Sequence, residues 1–200
     1  METFKPLKDY LREHYAAHEE RADLYAYFLE KSLHLLCDDG RLGMIVSNKF
    51  IKAKYGRPLR QLLTAHAQVD TVADFAGANV FVGATVRTVI LVLQRSEGAT
   101  RGRTQYVPVP DSAKLAEFAS GQSSVEDHAR QTAYELAKDA LGAAGWHLAP
   151  AGHAALLAKL NRNTIPLSKW SGTRALFGLK TGMNEAFIID RATRTSLIRA

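Results

Sequence analysis

Three features of the sequence predict an α/β fold: an apolar repeat at helical spacing over residues 22–36, short apolar runs after it, and glycine-bearing turns between them. The predicted order is helix, strand, helix, strand, loop, strand. That order describes half of a three-layer α/β domain, because so few elements do not cover both faces of their own sheet.

The elements follow in turn. In ADLYAYFLEKSLHLL, Leu24, Tyr25, Phe28, Leu29, Leu33 and Leu36 recur at intervals of one, three and four, which predicts a helix with one apolar stripe facing a sheet. CDDG then ends the helix, with Gly40 as its C′ residue. RLGMIVS supplies Leu42, Met44, Ile45 and Val46, short and apolar enough for a buried strand. A basic helical stretch is expected from Lys49 to Ala67. VDTVADF and TVRTVILVLQR read as two further strands joined by AGANVFVGA. The second of these is apolar on both faces, as in a sheet covered by helices on both sides. Residues 111–145 are Ala-rich and polar, and SVEDHARQTAYELAKDALGAAG predicts a helical connector. A new unit is expected from Trp146, through WHLAPAGHAALLAKLNR and LFGLKTGMNEAFIIDR, with a last strand from Ala186 to Asp190. The expected organisation is therefore 1–110, 111–145 and 146–200.

Composition narrows the function classes. A hydrophobic share of 46% over 200 residues excludes general disorder. No apolar run approaches the roughly 20 residues that span a bilayer, so no membrane partner is expected. METFKPLKDYLREHY has no apolar core of a secretory signal. Cys37 is the single cysteine, which excludes an internal disulfide and fits a cytoplasmic location. Of 26 basic and 20 acidic side chains, eight and two fall in residues 151–200, so the whole excess of +6 lies there. A basic region on a neutral body is the footprint of a polyanion binder, or else a solubilising surface.

No self-contained catalytic constellation is evident. GRLG and GANVFVG do not join a strand to a helix at the spacing of a phosphate loop. His14 and His18 stand four apart beside Glu13, Glu19 and Glu20, yet residue 15 is Tyr, the HExxH pattern fails, and no metal site is expected. Ser, His and Asp lack a nucleophile elbow, and Cys37 in its turn is expected to be inert. Lys49, Lys52, Lys54, Arg57 and Arg60 are grouped without an acid among them, after a strand whose carboxyl end borders the ligand crevice of an open sheet. They suit phosphate contact or a solvated helix face.

Three segments together resemble the gamma-class adenine-N6 DNA methyltransferases of bacterial restriction–modification and phage-defence systems. ADLYAYFLEKSLHLLCDDGRLGMIVSNKFI is similar to the helix and fifth strand after the family's catalytic loop, VADFAGANVFVGATVRTVILVL to its closing antiparallel pair, and GLKTGMNEAFIID to the opening of its target-recognition domain. The resemblance covers nearly the whole chain. It implies the last strands of a partial Rossmann-like S-adenosylmethionine-dependent sheet, followed by part of an α+β recognition domain. METFKPLKDYL is similar to sequence just after the family's Asn/Asp-Pro-Pro-Tyr loop. The expectation is thus a fragment of a site-specific adenine methyltransferase, inactive alone, or a non-catalytic DNA-binding or assembly module that pairs with a separate catalytic chain.

The resemblance also implies residue roles. Phe81 matches the aromatic residue that stacks on the flipped adenine, although a core aromatic is the plainer reading. Asp23, Leu24 and Phe28 match positions that contact S-adenosylmethionine in the intact enzyme. Core packing for the two apolar residues, and helix-dipole pairing for Asp23, are the alternatives. The fragment alone is expected to hold no cofactor. Duplex DNA is the implied partner, together with a separate chain carrying the amino-terminal half. Lys49, Lys52, Lys54 and Arg57 would meet its phosphates, as would Arg174 and, in GLKTGMNEAF, Lys180, Thr181 and Asn184. The last three also suit a plain turn, with Gly182 at positive φ.

Overall fold

The computed structural model describes residues 5–75, 77–81, 83, 86–96, 102–137, 139–162, 164–172 and 188–199. The chain divides into two compact units, Met1–Leu157 and Ala158–Ala200.

The first unit opens with helices α1 (Lys5–His14) and α2 (Leu24–Leu35). Asp23 caps α2, its carboxylate accepting from the Leu24 N–H at 2.8 Å. Ala26, Leu29 and Leu33 form the buried face of α2. Leu24 and Phe28 do not join it: they are 58% and 64% exposed, so the expectation of core packing for this pair is corrected. Between the helices, the buried Glu30 carboxylate accepts from the N–H groups of Ala16 and Ala17 at 2.8 and 2.7 Å. The charge satisfies two backbone donors of the connecting turn.

The turn after α2 differs from the expected glycine cap. The helix ends at Leu35, and Asp39, not Gly40, takes the left-handed conformation at φ 60°. Gly40 is needed for space, since a Cβ there would lie 2.8 Å from the Cys37 carbonyl oxygen.

Strand β1 (Arg41–Ser47) follows, then 3-10 turns at Asn48–Ile51 and Lys54–Gly56 and helix α3 (Arg57–His66). The expected single helix over Lys49–Ala67 is therefore regular only from Arg57, with Pro58 in its first turn. Gly56 lies against the Phe50 backbone where no Cβ fits. Arg60 is 1% exposed and gathers the carbonyls of Phe50, Ala53 and Ala143. It is a structural tie and does not face a phosphate.

Strands β2 (Ala67–Asp74), β3 (Thr88–Arg95), β4 (Gln105–Pro108) and β5 (Tyr134–Glu135) complete a mixed sheet in the order β1-β3-β2-β4-β5. β3 is antiparallel to both β1 and β2, while β4 is parallel to β2. Leu93, Leu91 and Val89 of β3 pack with Val69, Val72 and Val46 beneath α2 and α3. The other face is different. Gly43 and Ile45 of β1 are exposed there, and Ile90 and Val92 of β3 are half-buried. The expected fully buried β1 and two-sided cover of β3 are corrected: β1 is an edge strand, paired among the described residues only with β3.

Residues 111–145 are not helical throughout. Helices α4 (Ser112–Ser120) and α5 (Val125–Thr132) are followed by β5 and by a hairpin of β6 (Leu141–Gly142) and β7 (Gly145–Trp146). α5 lies over β4, with His128 Nε2 2.8 Å from the Pro108 carbonyl oxygen. Trp146, expected to open a new unit, is 0% exposed and meets Phe50 edge-on at 5.2 Å in the core of the first unit. Burial of the large indole carries the short hairpin into that core.

In the second unit, helices span Leu167–Trp170 and Arg191–Arg199, with Trp170, Leu197 and Ile198 exposed. The expected strand Ala186–Asp190 is not regular structure at 188–190, and its first two positions lie outside the described residues. No helix among the described residues is long and apolar enough to cross a membrane.

Candidate functional site

The antiparallel placement of β3 brings its amino end to the edge where β1, β2 and β4 end. A crevice of about 560 Å³ opens at that edge. Asn48, Lys49 and Lys52 line it from the turns after β1, Asp74 and Tyr106 from β2 and β4, Arg87 from the approach to β3, and His147 from the segment after β7. The Asn48 N–H donates to the Arg87 carbonyl at 2.9 Å, which ties the first and third of these segments together.

Two aromatic rings, Tyr106 and His147, stand among the lining side chains. Tyr106 donates to Asp74 Oδ2 at 2.9 Å, and burial, then the neighbouring Asp74 charge, push its phenol above the ordinary value. Tyr134 packs on Tyr106 with ring centroids 5.1 Å apart and donates to the Leu148 carbonyl at 2.7 Å. His147 is held next to this bond, and its own N–H donates to the Ala140 carbonyl at 2.8 Å.

Asp74 and Arg87, at the two ends of the link between β2 and β3, both line this crevice. The base of this link is anchored: the Phe75 N–H donates to Thr88 O at 3.0 Å, and the Asn79 N–H to Ser112 Oγ at 3.0 Å. Phe75 and Ala78 are buried, whereas Phe81 is 47% exposed. The segment whose ends line the crevice thus carries a half-exposed phenyl ring, and exposed aromatic rings of this kind can stack on a flat partner.

Of the basic residues singled out in the sequence, Lys49 and Lys52 line the crevice, while Lys54 and Arg57 are exposed outside its lining. Leu24 lines a separate apolar cleft of about 280 Å³ with Leu7, Leu11, His18 and Tyr27, between α1 and the start of α2. Arg174, Lys180, Thr181 and Asn184 lie outside the described residues. His14 and His18 have separate partners, the Tyr10 carbonyl and the Tyr27 hydroxyl, both at 2.9 Å. No group of three metal-ligating side chains is gathered among the described residues.

Sequence reading missed Arg87, His147 and the Tyr106–Asp74 pair. Arg87 was accessible in principle, because an antiparallel strand entering a parallel set starts at the edge where the others end. His147 was not, since its place depends on Trp146 being in the core.

A mixed α/β sheet with a basic crevice at the carboxyl ends of its parallel strands defines the class. Comparison with known proteins shows what the chain is similar to. Residues 1–81 match the Eco57I restriction-modification methylase family. The chain is 30% identical over 187 residues to the Type II methyltransferase M.PaeR7I of Pseudomonas aeruginosa, covering 92% of this chain and 32% of that protein. It is 26% identical over 178 residues to the Type II methyltransferase M.XhoI of Xanthomonas vasicola, covering 87% of this chain and 32% of that protein. A solved DrdV–DNA complex shares the fold at 19% identity and TM-score 0.50, over 68% of this chain and 15% of that one. The chain is thus similar to restriction-modification methylases over its first 81 residues and to Type II methyltransferases over most of its length. It spans about a third of the length of the two curated relatives.

Proposed function

We propose that the chain supplies part of an adenine-N6 DNA methyltransferase of a restriction–modification system: the last strands of its Rossmann-like catalytic sheet, then the start of its target-recognition domain. One observation carries this reading. A half-exposed Phe81 sits on an anchored loop whose two ends line a basic crevice at the carboxyl ends of parallel strands.

In this reading the flipped adenine stacks on Phe81, which fixes the ring plane while the exocyclic amine points away from the loop. Lys49 and Lys52 hold the strand phosphates at the crevice, and Lys54 and Arg57 extend the same basic surface. Arg174, Lys180, Thr181 and Asn184 belong to the recognition region. S-adenosylmethionine, when bound, supplies the electrophilic methyl group. The surface of α2 fits a flat nucleoside ring, because Leu24 and Phe28 offer exposed apolar side chains one helical turn apart and the Asp23 carboxylate stands at the helix start. The cofactor's Gly-rich loop and the loop that orients the amine would come from the rest of a full-length relative, in the same chain or in a separate one. The open edge of β1 suits such a neighbour, as its outer backbone groups can continue the sheet.

The test is a chimera in which this chain replaces the matching third of M.PaeR7I. Labelled methyl groups from S-adenosylmethionine should enter duplex DNA and be recovered on N6-methyladenine. Label recovered on cytosine would contradict the base assignment, and a folded chimera that transfers nothing would contradict the catalytic reading.

A further inference from the structure

Sequence alone groups Lys49 and Lys52 with Lys54, Arg57 and Arg60 along one segment. The fold regroups them. Arg60 is spent on backbone carbonyls, Lys54 and Arg57 leave the crevice, and two residues distant in sequence enter it: Arg87 before β3 and His147 after β7. Three permanent cations and one imidazole then face a single acid, Asp74.

The crevice cations also differ from many of their neighbours. Arg12, Arg41, Arg95, Arg103, Lys114 and Arg130 all lie in ion pairs. Among the described residues, the side chains of Lys49, Lys52 and Arg87 enter none, although they converge on one crevice. Three cations around one carboxylate leave an excess of like charge, and an anion in the crevice relieves the repulsion among them. Asp74 is held by Tyr106 on the floor of this space and repels an anion from that end.

We infer that Lys49, Lys52, Arg87 and His147 form one phosphate subsite for the DNA backbone, assembled from three chain segments, with Asp74 keeping the strand at the rim. Arg87 stands at the end of the segment that carries Phe81 and immediately before β3. The subsite rests on the DNA-methyltransferase reading for its choice of ligand, and it adds Arg87 and His147 to the residues that bind it.

The experiment measures binding of the full chain to a fluorescein-labelled DNA duplex by anisotropy across a range of salt concentrations. Removing one cation that neutralises a phosphate reduces the steepness of log affinity against log salt by about 0.9. Arg87→Gln should reduce it by about that amount. His147→Ala should weaken binding roughly two- to tenfold, the worth of one hydrogen bond. Asp74→Asn should tighten binding. Arg130→Gln, in the ion pair on α5, should leave the slope unchanged.

Arg87→Gln indistinguishable from Arg130→Gln would overturn the subsite while leaving the methyltransferase reading standing. Absence of salt-sensitive binding by the parent chain would overturn the subsite as well. Displacement of the duplex by inorganic phosphate at constant ionic strength would show a free-phosphate site and overturn the DNA assignment. Conversely, the Arg87 effect together with a chimera that methylates nothing would keep the subsite and sink the enzymatic reading. Circular dichroism of each variant confirms folding, since the side chains replaced at 87 and 147 lie exposed at the crevice.

Discussion

The proposed role of Phe81 can be separated from stability at the level of one side chain. A phenyl ring 47% exposed on a loop anchored at its base contributes little to the core. Phe81→Ala should therefore shift the urea midpoint by no more than about 0.5 kcal/mol of stability. In the assembled enzyme the same change should slow methylation roughly tenfold to a hundredfold, because base stacking on an aromatic ring is worth about 1–3 kcal/mol. Phe81→Trp should retain much of the rate. An alanine variant that unfolds, or one with full activity, would return Phe81 to a packing role. Tyr106 makes a complementary case. Burial and Asp74 raise its pKa above the ordinary 10.0, so the folded state holds the proton more tightly than the unfolded chain. That contribution is complete below about pH 10 and is lost as pH rises from there toward the folded value. The stability advantage of the parent over Tyr106→Phe should therefore shrink between about pH 9 and about pH 11. Urea midpoints of the two proteins measure it, and a gap that widens with pH would contradict the burial of that phenol beside a carboxylate.

Elements of strong periodicity were legible in the sequence, and short ones were not. α2, β1, β2 and β3 declare themselves through apolar spacing, and their observed bounds lie close to the expected ones. The periodicity gave direction less well than position. Leu24 and Phe28 share the spacing of the α2 stripe yet face away from the core, because the buried face is set by Ala26, Leu29, Glu30 and Leu33. The 3-10 turns before α3 escaped because Arg60, from the following helix, supplies the bonds that hold their carbonyls. The two-residue strands β6 and β7 carry no pattern of their own, and the hairpin is fastened by Trp146. At the candidate site, the Lys49–Lys52 segment was legible from its basic composition, whereas Phe81 was singled out only by the family resemblance. Arg87 and His147 became part of it only through topology. The hairpin makes a direct prediction. Of the two tryptophans, Trp146 is 0% and Trp170 is 75% exposed, so acrylamide should quench one emission component strongly and the other weakly. Trp146→Ala should cost the first unit about 3–5 kcal/mol. Equal quenching of both indoles would detach the hairpin from the core and with it His147 from the crevice.

At the scale of the first unit, the sheet is covered by α2 and α3 on one face, has α5 packed against β4, and leaves β1 as an edge strand with Ile45 exposed. These features agree with a chain that spans 32% of M.PaeR7I and of M.XhoI. The claim that unites them is that DNA meets the first unit at the carboxyl edge of the sheet. Photo-crosslinking to duplex DNA with reactive groups on its phosphates, with labelled peptides identified by mass spectrometry, tests it most directly. The prediction is label on Asn48, Lys49, Lys52, Arg87 and His147, which line the crevice, and on Phe81. Label confined within the first unit to α4 and α5, residues 112–132, would place DNA elsewhere and contradict it.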